Sequence, residues 1–496
     1  MTALLDVSRL SVRFGSGSSA RTVVSDVSLS VSPGECVAIV GESGSGKSVT
    51  VRSLLGLAGR DATVSAERLL VNGRDRTHAR EREWRTVRGR DVGLILQDAL
   101  VSLDPLRPIG REIADTLRLH GRMPASAVHA RVVELLERVG MPEPENAARQ
   151  RAGELSGGLR QRALIAAAIA LDPPLLLADE PTTALDVTIQ ARILDLMAGL
   201  KDAGTGILLI SHDLAVVSAI ADRVIVLRNG RVVEEGATAD LLAAPSAAYT
   251  RELIAAVPTD RPRGVPLLLP APATPPGPAV TPTARSAPRD ASVVLAGLDL
   301  VKTYPSPGGR FRAVDDVSFE LRRGETLGLV GESGSGKTTV ARLALALTDA
   351  DEGTVRLAGG DWLDLPEKDR RPLRPRIGAI YQDALSSFDP RWTVRRILED
   401  ALAQAPSGSR ETVPDLLGSV GLAGDVAQSR PLFLSGGQRQ RVSIARALAA
   451  QPDVLICDEP VSALDVTIQA QVLDLLTRLQ RERGLAYLFI SHDLGV

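Results

Sequence analysis

The chain of 496 residues has few cysteines, no uninterrupted long apolar run and no excess of either charge. Its two cysteines, Cys36 and Cys457, lie in apolar strand-like stretches, which favours small core residues over disulfide partners or metal ligands. A net charge of −2 and a pI near 6.3 give no basic footprint for nucleic acid. The longest apolar stretch, residues 163–178, is interrupted by Asp172 and two prolines, so we predict no membrane-spanning segment. Residues 1–6 lack the basic n-region and apolar core of a signal peptide. The use of cysteine as a core residue is consistent with a reducing cytoplasm.

Lysine is also rare, yet two of the five lysines lie in an eight-residue motif that occurs twice, 290 positions apart. Both copies match G-x-x-x-x-G-K-[ST], the loop whose backbone N–H groups surround nucleotide phosphates. Glycine permits the close approach, lysine supplies charge for the β- and γ-phosphates, and the hydroxyl can hold Mg²⁺. A single match can arise by chance, but two copies that each follow an apolar strand predict two nucleotide sites. The predicted nucleotide-binding residues are Gly41, Glu42, Ser43, Gly44, Ser45, Gly46, Lys47, Ser48, Gly331, Glu332, Ser333, Gly334, Ser335, Gly336, Lys337 and Thr338.

Five further motifs recur in the same order in both halves, so the chain is an internal duplication. They are a glutamine after an apolar strand (97 and 382), Leu-Ser-Gly-Gly (155–158 and 434–437), Asp-Glu after an apolar strand (179–180 and 458–459), Ala-Leu-Asp (184–186 and 463–465) and Ser-His-Asp (211–213 and 491–493). Apolar runs alternate with amphipathic stretches, which predicts an α/β fold with a mainly parallel sheet in each half.

We predict two domains, residues 1–257 and 292–496, joined by a linker at 258–291. The linker contains ten prolines together with alanine, threonine and glycine, so it cannot bury enough apolar surface to fold. We interpret it as a spacer that keeps two similar domains at high effective concentration, although a recognition role for its prolines stays open.

The ordered set of motifs resembles the ATP-binding cassette ATPases, over nearly the whole chain apart from the linker. Residues 97–106 and 382–391 resemble the glutamine-loop region of the dipeptide, oligopeptide and nickel importers, and residues 249–258 resemble the tail of those ATPases. In that family, two separate ATPase subunits usually pair beneath two membrane subunits, whereas here they are fused. The resemblance implies two tandem P-loop NTPase domains of the ABC type, each with a mainly parallel sheet core and a helical subdomain.

The resemblance also implies ATP and Mg²⁺ as cofactors and assigns roles to the motif residues. The implied Mg²⁺ ligands are Ser48, Asp179, Thr338 and Asp458. The implied catalytic residues are Glu180 and Glu459 as bases that polarise the attacking water, His212 and His492 at the γ-phosphate, and Gln97 and Gln382 at Mg²⁺ or the water. Two aromatic residues ahead of the loops, Phe14 and Tyr304, are candidates to stack on adenine or to be core residues.

Each Leu-Ser-Gly-Gly motif precedes a predicted helix, so its serine and backbone N–H groups form a candidate anion site. By resemblance, each motif serves the ATP of the opposite domain in a head-to-tail arrangement. The implied residues are Ser156, Gly157, Gly158, Ser435, Gly436 and Gly437. Both copies keep Asp-Glu and histidine, but the first has Leu159 and Ala167 where the second has Gln438 and Arg446, so we expect both sites to be active and their activities to be unequal.

The second half stops four residues after His492, whereas the first continues for 46 residues after His212. The first half carries a hairpin signature around Asn229-Gly230 in that extension. We therefore expect the second domain to lack the terminal strands.

Three function classes fit the resemblance to different degrees. The leading prediction is the energy-coupling ATPase of a transporter that imports peptides, related small solutes or nickel, at the cytoplasmic face of the cell membrane. Its implied partners are two permease subunits and an extracytoplasmic solute-binding protein. A soluble ATPase acting on ribosomes or DNA lacks support, since the chain has neither a basic charge excess nor paired cysteines. A non-enzymatic regulatory pair is disfavoured by Glu180 and Glu459.

Overall fold

The computed structural model describes residues 2–16, 20–97, 102–120, 123–182, 185, 187–257, 292–306, 309–332, 334–406, 410–462 and 464–491. The chain divides into two compact units, residues 1–257 and 258–496. The predicted linker, residues 258–291, lies outside the described residues.

The first unit combines an antiparallel sheet with a mainly parallel one. Its strands are β1 (Leu5–Phe14), β2 (Arg21–Val31), β3 (Cys36–Val40), β4 (Ala62–Ser65), β5 (Arg68–Val71), β6 (Arg74–Asp75), β7 (Val92–Ile95), β8 (Leu175–Asp179), β9 (Gly206–Ile210), β10 (Arg223–Arg228) and β11 (Arg231–Ala237). The antiparallel sheet has the order β2-β1-β5-β6, with β4 also paired to β1. The second sheet has the order β11-β10-β3-β9-β8-β7 and is parallel except for the β10–β11 hairpin.

The helices of the first unit fall into two groups. Those between β7 and β8 in the chain form a helical subdomain, and the others pack around the sheets. The helices of both groups are Lys47–Ser53, Glu81–Val87, Ile109–His120, Ala125–Arg138, Pro144–Ala147, Gly157–Ala168, Val187–Asp202, Leu214–Ile220, Thr238–Ala243 and Ala248–Ala255, with a 3₁₀ turn at Ala152–Glu154.

The parallel sheet is buried on both faces, which explains its nearly continuous apolar strands. Along β3, Val37 and Ile39 pack into the cluster shared with the antiparallel sheet, whereas Cys36, Ala38 and Val40 pack into the cluster shared with the helices. The side chains alternate between faces because a strand has a period of two residues. Cys36 and Cys457 are both fully buried, so the prediction that they are core residues is confirmed. Burial raises the pKa of each thiol to about 12.

The predicted hairpin is present in the first unit as β10 and β11. Asn229 and Gly230 connect the strands, and their φ angles of 50° and 75° match the tight turn that fits the twist of a hairpin. Because β10 also pairs in parallel with β3, the hairpin lies next to the strand that leads into the first phosphate loop.

The second unit repeats the two-sheet plan with fewer strands. Its strands are β12 (Val293–Ser306), β13 (Gly309–Arg322), β14 (Thr326–Val330), β15 (Glu352–Leu357), β16 (Gly360–Asp361), β17 (Ile377–Ile380), β18 (Val454–Asp458) and β19 (Ala486–Ser491). The antiparallel sheet has the order β13-β12-β15-β16 and the parallel sheet β14-β19-β18-β17. Within the described part of this unit, β14 pairs only with β19, and the hairpin has no counterpart.

As far as β19, the helices of the second unit occur between the strands in the same order as in the first unit. They are Lys337–Ala344, Glu367–Arg370, Val394–Leu402, Val413–Ser419, Gly436–Leu448 and Val466–Arg483, with 3₁₀ turns at Arg374–Arg376, Gly424–Gln428 and Pro431–Phe433. Among the described residues of both units, helices long and apolar enough to cross a bilayer are absent.

Candidate functional site

The first phosphate loop connects β3 to the helix Lys47–Ser53, as the motif predicts. Two of its glycines are required by the backbone that passes beside them. Gly41 has φ of 150°, and a Cβ there would lie 2.1 Å from the carbonyl oxygen of Leu227. Gly46 has φ of 101°, and a Cβ there would lie 3.0 Å from the carbonyl oxygen of Val23. Glycine therefore lets the loop fit between the two sheets.

The lysine of each loop is held by the loop itself. The ammonium of Lys47 donates hydrogen bonds to the carbonyl oxygens of Gly41 and Glu42 over 2.7 and 2.9 Å. The ammonium of Lys337 makes the equivalent bonds to Gly331 and Glu332, both 2.7 Å. Both side chains are buried, so each charge is fixed at the loop rather than free to sample solvent. Ser333 lies outside the described residues.

A hydroxyl and a carboxylate meet beside each loop. Ser48 Oγ donates to Asp179 Oδ1 over 2.8 Å, and Thr338 Oγ1 donates to Asp458 Oδ1 over 3.4 Å. Asp179 is completely buried, and the structure gives its Oδ2 no hydrogen-bond partner. Burial raises the pKa of both aspartates, and the hydroxyl bond opposes that shift.

These residues fit a Mg²⁺ site. Hydroxyl and carboxylate oxygens are the hard ligands that Mg²⁺ takes from proteins. A buried carboxylate oxygen without a partner is costly unless a cation or donor satisfies it, and Asp179 Oδ2 is such an atom.

The glutamates that follow these aspartates lie at matching positions in both units. Glu180 and Glu459 have φ angles of 50° and 49°, in the left-handed region that side chains other than glycine rarely adopt. The backbone N–H of Glu180 donates to the carbonyl oxygen of Ile210 over 3.0 Å, and that of Glu459 donates to the carbonyl oxygen of Ile490 over the same distance. Each acceptor lies in the neighbouring strand. The neighbouring strands therefore hold the backbone of each glutamate in this conformation.

The predicted glutamines contact these glutamates. Gln97 Nε2 donates to Glu180 Oε2 over 2.8 Å, and Gln382 Nε2 donates to Glu459 Oε2 over 2.9 Å. The structure thus brings together, in each unit, the glutamine and the glutamate that the sequence places far apart.

His212 joins the same carboxylate. Its Nδ1 lies 3.3 Å from Glu180 Oε2. Burial, the largest influence, lowers the pKa of His212, but the hydrogen bond and charge of Glu180, with the charge of Asp213, outweigh it, so the pKa lies above its usual value. The predicted equivalent, His492, lies outside the described residues.

Both Leu-Ser-Gly-Gly serines cap helices at exposed positions. Ser156 Oγ accepts a hydrogen bond from the N–H of Leu159 at the start of helix Gly157–Ala168. Ser435 does the same for Gln438, whose side-chain oxygen accepts the N–H of Ser435 over 3.0 Å. The difference between Leu159 and Gln438 therefore removes one half of a capping box from the first unit.

The second glycine of each motif lets two helices approach closely. A Cβ on Gly158 would lie 2.8 Å from Ile189, and a Cβ on Gly437 would lie 2.6 Å from Ile468. The first glycines, Gly157 and Gly436, are exposed and have no such contact under 3.4 Å.

The two aromatic candidates occupy equivalent strands but differ in their surroundings. Phe14, at the end of β1, is half-buried and packs against the core cluster between the sheets. Tyr304, in β12, is half-buried, and Lys302 Nζ lies 5.8 Å from the centre of its ring. Stacking on adenine stays a prediction for both.

The sequence did not predict two contacts at or near the sites, one made by Arg446 and one by Tyr249. Arg446 donates to the carbonyl oxygen of Ser387 over 2.6 Å and stacks over Phe388 with 4.9 Å to the ring centre. The sequence signal for this contact was that the first copy has Ala167 where the second has Arg446. The hydroxyl of Tyr249 accepts the N–H of Glu42 in the first phosphate loop, over 3.0 Å; the resemblance of residues 249–258 to a family tail gave no indication of that contact.

Comparison with known proteins identifies the family. The sequence profile of the ABC transporter family matches residues 24–183 and 314–462. The chain is 40% identical to the oligopeptide transport ATP-binding protein OppD of Mycobacterium tuberculosis over 564 aligned residues, which span 100% of this chain and 92% of that protein. It is 42% identical to the glutathione import ATP-binding protein GsiA of Pectobacterium atrosepticum, across 99% of this chain and 83% of that protein.

A solved structure supports the fold over nearly the whole chain. The archaeal ribosome recycling factor aABCE1, solved in complex with the ribosomal stalk protein aP1, matches 97% of this chain and 84% of its own with a TM-score of 0.63 and 21% identity. At that identity, the likeness concerns the fold alone. The family match and the full-length relatives show more: this chain belongs to the ABC transporter family and is an ATPase with two ATP-binding domains.

Proposed function

We propose that this chain is the energy-coupling subunit of an importer for peptides or related small solutes. The observation that carries the proposal is its full-length similarity, at 40% identity, to a protein named for oligopeptide transport. The implied partners are two integral-membrane permease subunits and an extracytoplasmic solute-binding protein, and the chain acts at the cytoplasmic face of the membrane. Glutathione import by another relative fits the same substrate class, since glutathione is itself a short peptide.

ATP hydrolysis in each domain follows from the charges around the loop. Lys47 and Lys337 bind the β- and γ-phosphates, and the hydroxyls and aspartates next to them would hold Mg²⁺. The metal ion, when bound, neutralises negative charge on the phosphate oxygens. Glu180 and Glu459 accept a proton from the attacking water. Gln97 and Gln382 orient these carboxylates through the hydrogen bonds that they donate.

The two ATP sites are composite in this proposal. Each phosphate loop is completed by the Leu-Ser-Gly-Gly motif of the other domain, in a head-to-tail pair within one chain. Support comes from Ser156 and Ser435, which lie exposed at helix N-termini, where backbone N–H groups and the helix dipole favour an anion.

Permease contact is proposed for residues 97–107 and 382–391. Residues 98–101 lie outside the described part of the chain, but Leu106, further along the first segment, has 76% of its surface exposed. In the second segment, Arg446 ties Ser387 and Phe388 to the helix that begins at the Leu-Ser-Gly-Gly motif. A permease that moves this segment therefore acts on the helix that carries the anion site.

Transport by reconstituted complexes tests the function. The chain is purified with its candidate permeases, placed in proteoliposomes and supplied with ATP, a binding protein and a labelled tripeptide. We expect ATP-dependent uptake that is lost in a Lys47→Ala, Lys337→Ala double variant. ATP hydrolysis without association with any permease, together with crosslinks from residues 382–391 to ribosomal or DNA components, would replace the importer with a soluble ATPase.

A further inference from the structure

The helix Ala248–Ala255 lies directly behind the first phosphate loop. The hydroxyl of Tyr249, at its second position, accepts a hydrogen bond from the backbone N–H of Glu42 over 3.0 Å, although 207 positions separate the two residues. Tyr249 is 3% exposed, and Glu42 is half-buried, so the bond is partly protected from water. The peptide unit that enters the loop is thus tied to a helix outside the ATPase motifs.

The β10–β11 hairpin supports the same loop and the same tyrosine. Arg228, the last residue of β10, places its guanidinium over the ring of Tyr249, 4.4 Å from the ring centre. Gly230, in the hairpin turn, donates its N–H to the carbonyl oxygen of Ser45 over 2.9 Å. Both the turn and the tyrosine therefore contact the backbone of the loop.

The start of the helix is fixed to the other strand of the hairpin. The Glu234 carboxylate accepts hydrogen bonds from the N–H and hydroxyl of Ser246, over 2.7 and 2.6 Å, and from the N–H of Ala247 over 3.1 Å. Those bonds hold the pKa of Glu234 far below its usual value, at about 2, with the Ser246 hydroxyl as the largest cause. Tyr249 consequently has little freedom to leave its position without moving the hairpin.

We propose that Tyr249 is a positioning residue for the first ATP site. Its hydroxyl holds the Glu42 peptide unit and keeps the loop in the shape that receives the phosphates. A loop that is already ordered loses less entropy when ATP binds, so the affinity is higher. The inference rests on the proposed role of the Lys47 loop in binding ATP.

The variant Tyr249→Phe tests this inference because it removes only the hydroxyl and keeps the ring beneath Arg228. In a Lys337→Ala background, where the first site alone binds nucleotide, we expect the Kd for a fluorescent ATP analogue to rise about three- to tenfold, the worth of one hydrogen bond. In a Lys47→Ala background, where the second site alone binds, the same change should leave the Kd unaltered.

A matched control comes from the other unit. Tyr487 is also buried, and its hydroxyl donates to the carbonyl oxygen of Leu476 over 2.9 Å, away from both loops. Tyr487→Phe also loses one buried hydrogen bond but should leave the first-site Kd unchanged. Thermal unfolding reports on the folding of each variant. If Tyr249→Phe does not fold, Glu234→Gln, which loosens the helix start without touching the loop, takes its place with the same expectation.

Two outcomes overturn the inference: an unchanged first-site Kd, or equal weakening at both sites. A Lys47→Ala, Lys337→Ala double variant separates its failure from that of the site assignment. If the double variant still binds the analogue, the loops are not the phosphate sites. If it loses binding while Tyr249→Phe keeps parental affinity, only the role of Tyr249 is wrong.

Discussion

Gln97 and Glu180 are joined by a 2.8 Å hydrogen bond between side chains that lie 83 positions apart in the chain. The second unit repeats the bond between Gln382 and Glu459 at 2.9 Å. The glutamine follows one parallel strand and the glutamate follows the next, so the sheet order brings them together. A change at the glutamine can thereby reorient the proposed base.

Replacing both proposed bases should stop turnover. Glu180→Gln with Glu459→Gln keeps the shape and the bond from each glutamine, but an amide cannot accept the proton of the attacking water. We expect kcat to fall by about 10²- to 10⁴-fold, the usual worth of a general base, with the Kd for ATP nearly unchanged. Steady-state hydrolysis and equilibrium nucleotide binding measure the two effects. Hydrolysis at the parental rate would show that another group is the base.

The proposed composite sites predict an effect across domains. Ser435→Arg places a bulky side chain at the exposed start of helix Gly436–Leu448 and removes the capping hydroxyl. We expect loss of nucleotide trapping at the first loop, in the other domain, while initial ATP binding there persists. Trapping is measured separately at each site, in Lys47→Ala and Lys337→Ala backgrounds. Loss confined to the second domain's own loop would mean that each domain works alone.

The close approach of two helices at Gly437 predicts a steric cost. A methyl group there would lie 2.6 Å from Cγ2 of Ile468, a side chain with little rotamer freedom. Gly437→Ala should reduce the free energy of unfolding by about 1–3 kcal/mol, the usual cost of overpacking. Gly436→Ala is the control, because its methyl group would meet its nearest neighbour at 3.5 Å. Urea unfolding of both variants decides the matter, and equal stability would contradict the packing argument.

The bonds to Glu234 predict a pH dependence in the acid range. The pKa of Glu234 is lowered from 4.5 to about 2, chiefly by the Ser246 hydroxyl, with further contributions from the backbone N–H groups of Ser246 and Ala247. A lowered pKa in the folded state means that the stabilisation is complete above pH 4.5 and is lost as the pH falls towards 2. The stability difference between the parent and Glu234→Gln should therefore shrink as the pH is lowered from 5 to about 3. A pH-independent difference in thermal unfolding would contradict this.

The strands that lead into the site, and the order of the site residues along the chain, could be predicted because short sequence motifs encode them. The apolar runs before Asp179 and Asp458 predicted strands, and those strands end at the aspartates as β8 and β18. The phosphate loops likewise begin after β3 and β14 at the predicted residues. These features depend on neighbours in the chain, which the sequence displays directly.

Contacts between residues far apart in the chain could not be predicted from the sequence. The bond between Tyr249 and Glu42 depends on how the last helix of the first unit returns to the sheet, and no local pattern encodes that path. The stacking of Arg446 on Phe388 depends in the same way on a helix and a loop that are 58 positions apart. The sequence showed that the first copy has Ala167 at the position of Arg446, but it did not show what Arg446 contacts.

The left-handed backbone at Glu180 and Glu459 sets the stability of the enzyme against its turnover. Glycine would adopt these φ angles of 50° and 49° without the penalty of about 1–2 kcal/mol that a side chain incurs there. A screen for heat resistance alone would thus reward glycine at two positions where it deletes the proposed base. Engineering a more thermostable form of this ATPase therefore requires that turnover be selected alongside melting temperature, or that both codons be held constant.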